Sequence, residues 1–333
     1  MKGFKAFGKG LVCRGKQYKE NTVFDEQEAV ICCRGMHFCK NPFDVLDYYP
    51  LVDSNGNVVE VAEVEALDEC QTDDNKKYCT KKLKIGFKLS LKEFVKAAID
   101  FAREKNDGKV STGKYAKLAS AGFGAQLASA GDGAKLASAG YSAQLASAGE
   151  YAQFASAGYG AKLASAGGGA QLASAGEYAQ LASAGKYAKL ASAGYGAQLA
   201  SAGEYAQLAS AGECAQLASA GECAQLASAG NGAKLASAGG GAQLASAGDG
   251  AQLASAGDGA KLTSAGCGAV IAGIGKWNEA KGKKGSWLVL AEWVYNDIEE
   301  KYIPVCVKAA QIDGAVIKED TFYKLENGEF KEA

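Results

Sequence analysis

The sequence predicts a mainly β protein: a nonapeptide β-solenoid with two strands per 18-residue coil and about nine coils, between an α+β N-terminal domain and a β-rich C-terminal cap. Three observations predict it. Between Gly113 and Gly275 a glycine recurs every nine residues, giving eighteen consecutive units of the form G-x-x-A-[Q/K/V]-[L/F/I]-[A/T]-[S/G]-[A/I]. Within a unit, counted from glycine as 0, Ala at +3, Leu at +5 and Ser at +7 share one face of an extended chain. Gln or Lys at +4 and Ala at +6 and +8 take the other. The period stops at both flanks, which divides the chain into 1–110, 111–275 and 276–333.

Each element follows in order. Residues 58–67 read as a strand. Residues 90–103 read as a helix: Ser90 caps it, Lys92-Glu93 starts it, and Phe94, Ala97, Ala98 and Phe101 form its apolar stripe. Its expected place is over the open end of the first coil, shielding unpaired backbone groups. In the repeat, a helix would incur about 1 kcal/mol for each interior glycine. Glycines at 0 and +2 instead suit tight turns with positive φ. After Gly275, residues 286–295, 303–311 and 321–325 read as strands, with Asp313-Gly314 and Asn327-Gly328 as turn signals. Trp287, Val289, Leu290 and Trp293 are the expected apolar plug of the far end.

Stacking decides the coil size. Equivalent residues on adjacent coils lie about 4.8 Å apart, where like charges repel. Glu-Tyr-Ala-Gln recurs at 150, 177 and 204, which suggests 27 residues per coil. That coil would make six like-charge neighbour pairs, including Glu150/Glu177 and Lys135/Lys162. An 18-residue coil makes three: Asp132/Glu150, Glu204/Glu222 and Lys117/Lys135. The shorter coil is preferred, and the 27-residue spacing reads as a trace of duplication.

Composition narrows the function classes. Net charge is −1, and residues 113–275 hold eight lysines, eight acids and no arginine. The rod is therefore neither a basic nucleic-acid binder nor an acidic DNA mimic. No signal peptide or membrane span is read, and ten cysteines without a secretory signal point to reduced thiols in a cytoplasm. No nucleic acid, membrane, metal or cofactor is expected. The expected partner is a protein, with homo-oligomerisation open.

The repeat resembles the calcium-binding nonapeptide roll, but its turns carry Gly168, Lys186 and Tyr195 as well as Asp132, so the calcium ligands are missing. Its Ala-Gln-Leu-Ala-Ser core is similar to the pentapeptide repeat only at the level of a β-solenoid. Cys13-Arg14-Gly15, Gly35-Met36-His37-Phe38-Cys39 and Asp47-Tyr48-Tyr49 resemble a domain of unknown function at the N-terminus of bacterial and phage repeat proteins. Lys281-Gly282 and Gly285-Ser286-Trp287 through Trp293 resemble the C-terminal segment of the same group. That resemblance implies a phage or mobile-element setting and brings no activity.

Three constellations are candidate sites. Cys13, Cys32, Cys33, His37 and Cys39 have no standard zinc spacing, and buried thiols are the favoured reading. Gly35-Met36-His37-Phe38 with Tyr48 and Tyr49, after Arg14-Gly15, resembles the Gly-Ile-Tyr-Phe…Tyr run of ADP-ribosyltransferases. That resemblance implies a nicotinamide-binding site with Arg14, His37 and Tyr49 as catalytic candidates, and a late glutamate that Glu60, Glu63 and Glu65 offer without a motif to choose one. Aromatic residues on the repeat are contact material: Phe123, Tyr141, Tyr159 and Tyr195 at +1, and Tyr151, Tyr178, Tyr187 and Tyr205, with Tyr115, at +2. The leading reading is a non-enzymatic binding or scaffold protein that presents a solenoid face to a host protein. The alternative is an ADP-ribosyltransferase-like N-terminal enzyme tethered to a rod. Ice or lattice binding is the lesser alternative, since Thr263 is the one threonine in the repeat units.

Overall fold

The computed structural model describes residues 1–31, 33–52, 57–90, 93–94, 97–98, 101 and 109–333. At its centre each strand pairs in parallel with the strand eighteen residues on: Leu118 lies beside Leu136, Leu136 beside Phe154 and Leu145 beside Leu163. The coil is thus 18 residues, and its two strands belong to two twelve-stranded sheets. Opposite charges one coil apart pair directly, Lys186 with Glu204 and Lys276 with Asp258, each at 2.8 Å. There are about 10 coils, slightly more than the repeat count gives. Lys109–Ser111 adds a strand ahead of Gly113, and Glu279–Lys281 and Trp287–Asn296 carry both sheets past Gly275.

Between the sheets, Ala at +3 and Leu at +5 form continuous buried ladders from Leu127 to Leu262, with Phe154 taking one leucine place. Ser at +7 is buried beside them and closes the turn. The Ser129 and Ser138 hydroxyls accept the N–H of Gly131 and Gly140, two residues on, at 3.3 and 3.2 Å.

The glycine frame has a different cause from the one expected. Positive φ falls at +2, and this position is not restricted to glycine: Gly133 has φ 67°, but Tyr151, Tyr178 and Cys214 have 55°, 53° and 56°. Glycine at 0 is needed because successive turns touch backbone to backbone. A Cβ on Gly203 would lie 2.0 Å from the carbonyl oxygen of Gly185 on the preceding coil. The same contact recurs at Gly158 and Gly248, at 1.9 and 2.2 Å.

The N-terminal domain is an antiparallel sheet of seven strands: β1 (Lys2–Phe7), β4 (Thr22–Asp25), β5 (Met36–Cys39), β6 (Glu60–Ala66), β7 (Cys70–Gln71), β8 (Lys77–Thr80) and β9 (Lys82–Leu89). They are ordered β4-β9-β6-β1-β5-β8-β7, with a small hairpin of β2 (Val12–Cys13) and β3 (Lys16–Gln17) beside them. A 3-10 turn, Pro42–Asp47, starts at Asn41, whose side chain accepts the Phe43 N–H at 3.1 Å. Ser90 and Glu93 cap each other reciprocally, as a helix start should: the Ser90 N–H donates to the Glu93 carboxylate at 2.8 Å, and the Glu93 N–H to Ser90 Oγ at 3.3 Å. Lys92 and Arg103 lie outside the described residues.

This domain lies along the side of the rod, on the outer face of the sheet containing Gln126–Ser129 and Gln144–Ser147, hereafter the covered sheet. Phe43, Val45, Leu46, Leu51 and Val52 bury Ala128, Ala146, Ala164, Ala182, Ala200 and Ala218, the +6 alanines of that sheet over six coils. Phe94 and Ala98 join this seam, and Phe94 meets Phe43 edge-on at 5.7 Å between ring centres. The described helical residues therefore fill the seam along the rod's flank, where the sequence reading placed them over the coil end. The +4 side chains address the 3-10 turn in order. Asn41 donates to Gln144 at 3.2 Å, Lys162 Nζ donates to the Phe43 carbonyl at 2.9 Å and to Asp47 at 2.6 Å, and Gln180 donates to the Leu46 carbonyl at 3.4 Å.

At the far end, Trp287–Asn296 extends the covered sheet in parallel and turns back antiparallel as Lys301–Gln311. Tyr323–Glu326 and Glu329–Glu332 close the other sheet, joined through Asn327 and Gly328, both at positive φ. The plug consists of Leu288, Leu290, Ile312, Ile317, Tyr323 and Leu325. Of the four residues expected there, only Leu290 points inward. Trp287 is exposed and Val289 half-buried, because strand alternation puts them on the opposite side from Leu288 and Leu290. Trp293 turns its indole N–H to the Ile274 carbonyl at 2.9 Å.

Candidate functional site

Arg14, His37 and Tyr49, far apart in sequence, line one cavity of about 700 Å³ in the N-terminal domain. Strand β5 carries His37 and Cys39, and β1 beside it carries Lys5. The β2–β3 hairpin brings Cys13 and Arg14, and the chain leaving the 3-10 turn brings Tyr48 and Tyr49. Arg14 sits at φ 50°, followed by Gly15 at φ 76°, a turn conformation in which an arginine is strained. Tyr49 donates its hydroxyl to Cys13 Sγ at 2.8 Å.

Lys5 is the residue that the sequence reading missed. It is 4% exposed, donates to the His37 carbonyl at 2.9 Å and stands 5.5 Å from the ring centres of Phe7 and Tyr18. Burial lowers its pKa. The available signal was a lysine set between apolar residues in Lys2–Phe7. Burial first, then the nearby charges of Lys5, Lys77 and Arg14, holds His37 down at about 4. Tyr49 is pushed upward by burial and by its bond to Cys13, and burial raises Cys39 to about 12. Neither is ionised near neutral pH.

This arrangement has a pH signature. His37 titrates at about 4 when folded and near 6.5 when unfolded. Between those values the unfolded chain binds more protons, so the stabilisation is complete above about pH 6.5 and is lost as pH falls toward 4. Urea melts at about pH 7 and about pH 4.5 should show this loss, and His37→Gln should flatten it. An unchanged slope in that variant would sink the assignment.

Among the described residues, no group of three or more His, Cys, Asp or Glu side chains converges to hold a metal ion. Cys33 is exposed, Cys13 and Cys39 are buried, and Cys32 lies outside the described residues. None of Glu60, Glu63 and Glu65 lines the cavity. Glu60 faces away, accepting the Leu11 N–H and pairing with Lys88. The glutamates that do line it are already paired, Glu26 with Lys16 at 2.6 Å and Glu28 with Arg34 at 2.7 Å.

The aromatic residues of the rod form two groups, because successive turns fall on opposite edges. Phe123, Tyr141, Tyr159, Tyr178 and Tyr195 occupy consecutive coils along one edge. From Tyr141 onward their ring centres are 6.3, 5.3 and 5.6 Å apart. Tyr178, at +2, fills the place left by Glu177 at +1. Tyr151, Tyr187 and Tyr205 lie on the other edge with Tyr115, and Tyr187 and Tyr205 stack at 5.2 Å and 10°.

Between the two edges lies the outer face of the second sheet, the open sheet. Its +6 and +8 alanines, from Ala119 and Ala121 to Ala247 and Ala265, line one long shallow apolar groove. Lys117, Lys135, Lys189 and Lys261 stand along it at +4. Among the described residues, no helix is long and apolar enough to cross a membrane.

Comparison with known proteins finds no match among curated proteins and none among solved structures. What it does find covers the domain that holds the cavity: residues 1–97 match the family described as a domain of unknown function, DUF7666.

Proposed function

We propose that the protein is a non-enzymatic scaffold whose open sheet receives a partner protein. The observation that carries this reading is the contrast between two chemically equal faces. On the covered sheet, six +6 alanines lie buried beneath Phe43, Val45, Leu46, Leu51 and Val52. On the open sheet, the same alanines face solvent over the length of the rod. A contiguous exposed apolar surface of this kind marks an interaction site. The covered seam also indicates the partner's chemistry, with mainly branched aliphatic side chains at its centre and a carboxylate opposite lysine, as Asp47 meets Lys162. The tyrosine edges supply rims with little entropy to lose. The resemblance of both flanks to bacterial and phage repeat proteins supports a mobile-element setting with a host protein as partner. The free thiols among the described cysteines support a cytoplasmic one.

A photo-crosslinking residue at Ala173 of the full chain, irradiated in the native cells, tests this. The expected product is an adduct with a different protein, lost on Ala191→Arg. An adduct only with a second copy, no adduct, or an adduct that persists in that variant would each overturn it.

A second reading, an ADP-ribosyltransferase-like enzyme, rests on the convergence of Arg14, His37 and Tyr49. Against it, the cavity's own glutamates are tied up in ion pairs. Transfer of label from NAD to lysate protein, lost on Tyr49→Phe, would favour it over the scaffold.

A further inference from the structure

The covered sheet holds the N-terminal domain through four consecutive +4 side chains. Gln144 meets Asn41, and Lys162 holds the Phe43 carbonyl and Asp47. Gln180 reaches the Leu46 carbonyl, and Gln198 accepts the Val52 N–H at 3.4 Å. In coil order the site reads Gln-Lys-Gln-Gln over a floor of +6 alanines. The open sheet carries the same order at Gln171, Lys189, Gln207 and Gln225. No other lysine of that row has these neighbours, since Lys135 follows Lys117 and Lys261 precedes Glu279. Each residue of the second set lies 27 residues after its counterpart, and the match runs past the four. Gln126, Gln216 and Lys234 answer to Gln153, Gln243 and Lys261, and the buried alanines from Ala128 to Ala218 answer to those from Ala155 to Ala245. Twenty-seven residues are three units, one and a half coils. That step carries the docking site to the opposite sheet and about 7 Å along the rod, at about 4.8 Å per coil. The two sites differ in what covers them. Lys162 is 6% exposed beneath the domain, whereas Lys189 and its alanine floor face solvent.

We propose that the open sheet carries a second docking site for a domain of the family matched by residues 1–97, centred on Lys189 and taken by such a domain on a different protein. This rests on the scaffold reading and names its partner's class. The recognition face required is the one seen in the seam, aliphatic residues for the alanine floor and one carboxylate for the lysine. A second copy of this chain has no such face to offer. Its Phe43, Leu46 and Val52 are already buried on its own covered sheet, where the covalent connection keeps the domain at high effective concentration. Freeing that face by mutation turns the chain's own domain into a probe for the second site.

Zero-length carbodiimide crosslinking of the full chain, read by peptide mass spectrometry, tests the proposal. In the unmodified chain Asp47 should join Lys162, its ion-pair partner at 2.6 Å. The double variant Ala164→Arg, Ala182→Arg places two cations in the covered floor and leaves the open sheet intact. Asp47 should then join Lys189, on its own rod or on a neighbour's, and this product should vanish when Ala209→Arg is added. Lys162→Gln is the milder second variant, since it restores the commonest +4 residue and buries no charge. It leaves the open sheet with the better-matched site, so the Lys189 product should appear there too. Absence of that product from both variants, retention of the Lys162 product alone in the double variant, equal joining to Lys117 and Lys135, or survival of the Lys189 product with Ala209→Arg would each overturn the assignment. The scaffold reading fails separately. An adduct at Ala173 in cells with no Lys189 product here would keep the scaffold and remove this partner class, whereas the reverse would leave a competent site that the cell does not use.

Discussion

Gly203→Ala should split the rod. Its new methyl would sit 2.0 Å from the Gly185 carbonyl oxygen and 2.5 Å from the carbonyl carbon, in a contact made of backbone alone. No rotamer relieves such a clash, so the coils must separate locally. The expected loss is about 3 kcal/mol or more, at or above the top of the usual range for overpacking. Because coils contact only their neighbours, the effect should appear as a break in cooperativity at this coil. The control is Gly232→Ala, at +2. Its φ is 66° and its Cβ would meet only the Cys214 sulfur at 3.6 Å. That change should incur about 1–2 kcal/mol, the usual left-handed penalty. Urea melts with hydrogen exchange along the coils measure both. Equal losses would show that the frame glycines serve turn geometry and not coil contact.

The second large effect separates two identical sequences. Gln171–Ser174 and Gln180–Ser183 both read Gln-Leu-Ala-Ser, in consecutive units. Ala182 is buried at the seam with the N-terminal domain, whereas Ala173 faces solvent on the open sheet. Ala182→Arg forces a cation beneath Leu46 and its neighbours without a partner. It should lift the domain off the rod or destabilise the seam by about 3 kcal/mol or more. Ala173→Arg should change stability by no more than about 0.5 kcal/mol. Small-angle scattering and limited proteolysis would report the undocking. Identical behaviour of the two variants would place the domain elsewhere.

Much of the rod was legible because stacking physics acts on single residues. Like-charge columns selected the 18-residue coil, and period-two alternation placed Ala, Leu and Ser inside. The docking side was not legible. Alternate units share one consensus, so nothing in Gln171–Ser174 against Gln180–Ser183 says which is covered. Only Lys162, a lone cation among the glutamines beneath the domain, differs, and its partner Asp47 is 115 residues away. The +1 and +2 aromatics looked like two rows because the linear period hides that successive turns alternate edges. In the N-terminal domain, short motifs single out Arg14, His37 and Tyr49, which line one cavity. Lys5 escaped because a lysine in a strand reads as solvent-facing, and only tertiary packing reveals it as buried. The expected C-terminal plug mixed the two faces of one strand: Leu290 points inward, but Trp287 and Val289 alternate with it and lie on the other side.

The two-strand coil also constrains how such a gene can grow. Adding two units, or 18 residues, lengthens the rod by one coil of about 4.8 Å and leaves every downstream residue on its own side. Adding one or three units toggles the parity. Everything after the insertion exchanges sides, and the hairpin Trp287–Gln311 would then continue the opposite sheet from the one that carries the N-terminal domain. The Glu-Tyr-Ala-Gln copies at 150, 177 and 204 are three units apart, so such half-coil steps are already written into this chain. Length variants of this protein should therefore fall into two classes related by a half-turn about the rod axis, distinguished by whether their two ends project to the same side or to opposite sides.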